Sequence, residues 1–93
     1  MLKITAIKTN RRCRFVLEGE LVSPWVAELQ KAWKDARLSA GSLTLMVDLR
    51  DVITIGPEGK DILSEMMSEG VRFVCDGILN RYVLQQLAHK AGL

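Results

Sequence analysis

A short apolar run followed by a helix-start signal constrains the fold of this chain most strongly. The run contains Leu43, Leu45, Met46 and Val47. Such a run is typical of a strand covered on both faces. Asp48 is predicted to end the strand, and a short connection then leads to Gly56 and Pro57. Proline suits the first helical position because its φ is already helical and its missing N–H is not needed there. A buried strand leading into a helix predicts an α/β domain.

Hydrophobic periodicity places the other elements around this central strand. The alternation of apolar and polar residues predicts a hairpin of two strands, Leu2 to Lys8 and Arg12 to Leu17, and a later strand, Val71 to Cys75. Helices are predicted from Pro24 to about Arg37 with Ser23 as N-cap, from Pro57 to about Ser68 with Gly70 as stop, and from Ile78 to about Lys90 after a turn at Asp76-Gly77. The order ββαβαβα predicts a four-stranded, mostly parallel sheet with an N-terminal antiparallel hairpin and helices packed on it.

The first predicted helix has a clear apolar side that includes Trp25 and Trp33. These two residues lie at i and i+8, so the amphipathic period places both against the sheet. A role in stacking on a ligand is the less favoured alternative. The pattern therefore assigns both tryptophans to the core.

Length and composition fit one globular domain spanning residues 1–93. The chain has 93 residues, of which 48% are hydrophobic and 26% are charged, and a chain of this size can bury a core of its own. No apolar run is long enough to span a bilayer, so no direct membrane insertion is expected. Lys3 and Thr5 interrupt any apolar N-terminal segment, which argues against a signal peptide. We expect a cytoplasmic location.

The charge balance argues against nucleic acid as a partner. A net charge of +2 is small for a protein that binds phosphate backbones. A local basic cluster is formed by Lys8, Arg11, Arg12 and Arg14. We interpret it as the solvated tip and flank of the hairpin around Thr9-Asn10, with a phosphate or acidic-lipid contact as the less favoured alternative.

Residues that could support catalysis or metal binding are sparse. Cys13 and Cys75 are far apart, and His89 is the only histidine, so neither a zinc site nor a redox motif is indicated. We expect both cysteines to be small buried hydrophobic residues, although the sequence leaves a disulfide between them open. No nucleotide loop, catalytic triad or metal motif is present, so we expect no enzymatic activity, no cofactor and no metal.

Four segments together resemble the STAS family, the domain of anti-sigma factor antagonists and of sulfate-transporter tails. The segments are Leu17-Glu18-Gly19-Glu20-Leu21, Val47-Asp48-Leu49 with Val52, Gly56-Pro57-Glu58-Gly59, and Gly92-Leu93. The resemblance covers roughly Phe15 to Leu93 and implies a mainly structural role for Asp48. It also contains one departure, because Glu58 stands where phospho-regulated members carry a phosphorylated serine or threonine, and Pro57 replaces the usual serine.

The resemblance implies a non-enzymatic regulatory module that binds a protein partner. The partner-binding surface would be Thr54, Gly56, Pro57, Glu58, Gly59, Lys60, Asp61 and Ser64, with Glu65 as a further polar contact. The partner would be an anti-sigma factor or a kinase-like protein. The alternatives are an accessory STAS subunit bound to the membrane and ATPase subunits of an ABC-type lipid transporter, and a small ligand-binding α/β domain. Glu58 is either a favourable first-turn acid or a permanent charge that imitates the phosphorylated state.

Overall fold

The computed structural model describes residues 1–39, 44–76, 78–90 and 92. The strands are β1 (Leu2–Thr9), β2 (Arg12–Leu21), β3 (Thr44–Ile55) and β4 (Arg72–Val74). The helices are α1 (Val26–Ser39), α2 (Pro57–Ser68) and α3 (Ile78–Lys90). Leu43, Gly77 and Leu93, on which parts of the sequence interpretation depend, lie outside the described residues.

The strands form one mixed sheet in the order β1-β2-β3-β4. β1 and β2 are an antiparallel hairpin, while β2 pairs with β3 and β3 pairs with β4 in parallel. The predicted α/β architecture, with β3 inside the sheet, is therefore confirmed.

Each of the three helices contributes apolar residues to a core on one face of this sheet, whereas Leu38 of α1 and Tyr82 of α3 are exposed. Alternate residues of β2 and β3, among them Phe15, Leu17 and Val47, are buried on that face. The helices complete the same cluster with Leu29, Trp33, Ile62, Leu63, Met66 and Leu87. Trp25 is partly buried and packs against the cluster, so both tryptophans belong to the core as predicted. The opposite face of the sheet lies outside this core.

β3 is much longer than the sequence pattern indicates. Asp48 does not end the strand, which continues to Ile55. Two register shifts interrupt its pairing with β2, and such bulges break the alternation by which strands are recognised. Leu49, Val52 and Ile55 consequently reach the core at intervals of three residues, while Ile53 is 81% exposed. The predicted connection between Asp48 and Gly56 was therefore wrong.

The ends of the other elements agree with prediction to different degrees. α1 begins at Val26, and the segment from Ser23 to Trp25 is a turn, so Ser23 is not the N-cap. Turn hydrogen bonds occupy this segment, including one from the Val26 N–H to the Val22 carbonyl at 3.1 Å. β4 is shorter than predicted, and Cys75 lies just beyond it. α2 matches prediction at both ends: Pro57 opens it and Gly70 follows it with φ of 89°, a left-handed conformation that favours glycine.

Candidate functional site

Two of the segments that carry the family resemblance meet where β3 passes into α2. Leu21 at the end of β2 pairs with Ile55 at the end of β3. The Leu21 carbonyl also accepts a hydrogen bond from the Gly56 N–H at 2.9 Å. The backbone at Gly59 approaches the same carbonyl so closely that a Cβ there would lie 2.5 Å from the oxygen. The end of β2 therefore fixes the position of the first turn of α2.

This anchored first turn presents Pro57 and Glu58 to solvent. The N-cap residue is Gly56, which has no side chain, so the first N–H groups of α2 lack a side-chain acceptor there. A carboxylate in the first turn interacts favourably with those N–H groups and with the helix dipole. Glu58 consequently has a structural role as well as an exposed position.

Glu58 also lines a groove of about 300 Å³ between α1 and α2. Its α2 wall carries three carboxylates, Glu58, Asp61 and Glu65, at i, i+3 and i+7 and hence on one helix face. The groove is completed by Ser23, Val26, Ala27, Gln30 and Ile62. It is therefore acidic along one helix and contains apolar side chains from both.

The residues that the sequence assigned to partner binding are only partly exposed. Thr54, Pro57, Glu58 and Asp61 are exposed, and Gly56 and Lys60 are half-buried. Gly59 and Ser64 are buried, because the side of α2 that carries them packs inward. Those two residues belong to the packing of α2 and not to its exposed surface.

The α1 wall of the groove, which includes Val26, Ala27 and Gln30, was not assigned to the site from the sequence. Amphipathic spacing shows which side of each helix is polar. It does not show which two polar sides will border one groove, because that depends on how the helices pack together. Glu65, which lies one helical turn after Asp61 on the same face, was predicted as a polar contact of the partner-binding surface, and it lines the groove.

The opposite face of the sheet contains an ion-pair cluster centred on the buried carboxylate of Asp48. Asp48 is only 2% exposed, yet its carboxylate accepts hydrogen bonds from Arg14 and Arg50. The Arg50 Nη2 donates at 2.7 Å, and the Arg50 backbone N–H donates at 3.0 Å. The hydrogen bond from the Arg50 side chain is the largest influence that lowers the pKa of Asp48; burial opposes it, and Arg14 adds to it.

This cluster changes the interpretation of the basic hairpin. Arg14 is not simply a solvated hairpin residue, because its guanidinium pairs with Asp48 across two strands. The sequence could not show this contact, since the two residues are 34 positions apart. The structural role implied for Asp48 agrees with the geometry.

The two cysteines differ in their surroundings. Cys13 is completely buried in the core and Cys75 is partly exposed, and both are free thiols. The expectation of burial therefore holds for Cys13 and was wrong for Cys75. The disulfide that the sequence left open is absent.

The chain is similar in fold to a solved protein from Shewanella loihica PV-4, described as an uncharacterized protein from the DUF3478 family with a SpoIIAA-like fold. The two share 13% sequence identity at a TM-score of 0.62, over 96% of this chain and 78% of that chain. No sequence profile of a known family matches the chain, and no curated protein matches it. The chain thus has a SpoIIAA-like fold, the fold of STAS domains and anti-sigma antagonists. The predicted STAS-like fold is confirmed.

None of the described helices is long and apolar enough to cross a membrane.

Proposed function

We propose that this chain is a non-enzymatic STAS-like module that binds a protein partner through the groove between α1 and α2. The observation that carries the proposal is the position of Glu58. It lies in the first turn of α2 and lines the acidic groove, and the sequence resemblance puts it at the position of the family's phosphorylated residue. An exposed, charged first turn of a helix that is held by a rigid sheet is suited to binding a protein partner.

The groove favours a partner segment with basic and apolar side chains. The carboxylates of Glu58, Asp61 and Glu65 would attract lysine or arginine, while Val26, Ala27 and Ile62 provide apolar contact. A volume of about 300 Å³ has room for a few side chains and not for a whole helix. We therefore expect one or two residues of the partner to enter the groove while the rest lies across the exposed faces of the two helices.

Glu58 would give the first turn of α2 a permanent negative charge. Neither Glu58 nor Pro57 has a hydroxyl group, and Ser64 in the helix body is buried. A kinase would consequently find no accessible acceptor at the position used by phospho-regulated relatives. We propose that recognition here depends on a constant charge and not on a phosphorylation cycle.

The partner can be identified by placing a photo-crosslinking amino acid at Thr54, an exposed residue beside the site, and sequencing the captured protein. Calorimetry with that purified protein then tests the groove. Glu58→Gln should weaken binding about fivefold, the effect of losing one partly solvated charge contact. Asp35→Asn removes the same charge from an exposed position of α1 that does not line the groove, and it should leave affinity unchanged.

Equal losses in the two variants would show that only overall charge matters. An unchanged affinity for Glu58→Gln would show that the groove is not the interface. Phosphate incorporation by a co-purifying kinase, measured by intact mass, would contradict the constant-charge part of the proposal.

A further inference from the structure

The sheet face that lies away from the helices contains a second groove, which is basic. Apart from Cys13, its residues lie at positions that alternate with the core residues, and they come from all four strands. Arg14 pairs with Ile7 on one side and Met46 on the other, and Met46 pairs in turn with Arg72. In the adjacent row, Arg12 pairs with Thr9 and Thr44. The strand register therefore gathers three arginines at one end of this face.

These side chains line a cavity of about 450 Å³. That volume lies within the range of small-molecule sites, which combine an apolar surface with a few convergent polar groups. Ile7 and Met46 supply the apolar surface, and Thr9 and Thr44 supply hydroxyl groups. The groove thus has the size and the chemical mixture of a ligand site.

The three arginines differ in how their charge is balanced. The guanidinium of Arg14 pairs with Asp48. The ion pairs formed within residues 1–39, 44–76 and 78–90 do not include Arg12 or Arg72. The groove therefore has two positive charges without a carboxylate partner in the described part of the chain. Arg72 lies on β4, two strands from β2, and its row is two residues along the strands from the row of Arg12. Their Cα atoms are therefore about 12 Å apart, and both long side chains can reach one small anion between them.

We propose that this groove binds a small phosphomonoester that carries a compact apolar group. A phosphomonoester has a charge of about −1.5 to −2 at neutral pH, which matches the two unpaired guanidinium groups of Arg12 and Arg72. The planar fork of arginine donates paired hydrogen bonds to phosphate oxygens. Thr9 and Thr44 can donate further hydrogen bonds, while the apolar group of the ligand contacts Ile7 and Met46.

The proposal does not depend on the acidic groove between α1 and α2. The two grooves share no lining residue, and the basic one lies on the sheet face opposite the helices. A failure of partner binding at Glu58 would leave this proposal intact, and the reverse also holds.

Phenyl phosphate is a suitable probe, with benzoate as a probe that has the same ring and a single negative charge. Titration followed by backbone amide NMR should give saturable shifts centred on Thr9, Arg12, Thr44 and Arg72, with weaker binding of benzoate. The double variant Arg12→Gln with Arg72→Gln should bind phenyl phosphate at least about tenfold more weakly, because two charge-assisted contacts are lost. The matched control is Lys31→Gln with Lys34→Gln, which removes two exposed charges from α1 and should leave affinity within about twofold.

Several outcomes would overturn the proposal. Shifts spread over all basic residues, or equal losses in the two double variants, would indicate unspecific attraction of anions. The absence of saturation with phenyl phosphate would exclude the ligand class. Binding to vesicles that contain phosphatidylglycerol, abolished by the arginine variants while phenyl phosphate fails to bind, would assign the face to a membrane surface instead.

Discussion

The two faces of the sheet bury adjacent residues of the same strand by different means. Val47 is covered by the helices and lies in an apolar core. Asp48 points the other way and is covered by the side chains of Arg14 and Arg50. Both residues are almost inaccessible to solvent. Burial on the helix face rests on apolar contact, whereas burial at Asp48 rests on ion pairs and hydrogen bonds.

The two faces of the sheet therefore contribute differently to the stability of the domain. Apolar burial stabilises the domain in proportion to the area removed from water. The ion pairs of Asp48 contribute less per contact, because the side chains of Arg14 and Arg50 are 40% and 49% exposed and solvent screens their charges. The helix face should consequently dominate stability, while the other face is available for recognition of anions.

The largest expected effect comes from the helix face. Leu49→Ala, at a fully buried position of β3, should lower the free energy of unfolding by about 3 to 5 kcal/mol through the cavity it leaves. Met46→Ala, on the opposite face and only half-buried, is the matched control and should cost less than half as much. Denaturant unfolding of both variants measures the difference. Equal losses would mean that the two faces contribute alike.

The next effect concerns Asp48 and depends on pH. The pKa of Asp48 is lowered in the folded state. Its contribution to the free energy of unfolding is therefore fully present above the pKa of aspartate in the unfolded chain, about 4. This contribution to stability is lost as the pH falls from about 4 through the lower pKa that Asp48 has in the folded state. Asp48→Asn should reduce stability by about 2 kcal/mol at pH 7, a figure discounted for the half-exposed arginines. Unfolding curves at pH 7, 4 and 2.5 should show the gap between the two proteins closing as pH falls. A gap that stays constant would contradict the ion-pair account.

A third effect tests the junction between β2 and α2. Gly59→Ala would place a Cβ against the Leu21 carbonyl oxygen, so we expect a loss of about 1 to 3 kcal/mol from overpacking. Gly70→Ala is the control, because no atom lies within 4 Å of a Cβ at that position. Only the positive φ of residue 70 would strain the alanine. This substitution should cost about 1 kcal/mol. Thermal unfolding of the pair separates steric crowding from backbone strain, and a larger loss at Gly70 would refute the close-approach argument.

The sequence predicted those parts of the fold that depend on local signals. The bounds of α2 follow from Gly56, Pro57 and Gly70, residues whose conformational preferences act within a few positions of the chain. The hairpin was predicted for the same reason, because its strands alternate and are adjacent in sequence. β3 was cut short because two bulges change the spacing of its buried residues from two to three.

The candidate sites were harder to predict because they are made by tertiary contacts. The family resemblance pointed to Glu58, and its exposed position agrees with that. It gave no sign that α1 would form the other wall of the groove. The Asp48 cluster joins residues from β2 and β3, and only strand register brings them together. Gly59 was predicted to belong to the partner-binding surface, whereas its lack of a side chain allows close packing against Leu21.

The smallest expected effect distinguishes two neighbouring residues of α2. Glu58 is exposed while Gly59 is buried, so Glu58→Ser should cost at most about 1 kcal/mol, the value of a first-turn acid near the helix dipole. The two substitutions should therefore affect different properties. Gly59→Ala should mainly change the free energy of unfolding, and Glu58→Ser should mainly change the affinity for the partner. Unfolding and calorimetry on the same two samples test this, and a loss of more than about 2 kcal/mol for Glu58→Ser would mean that Glu58 is chiefly a structural residue.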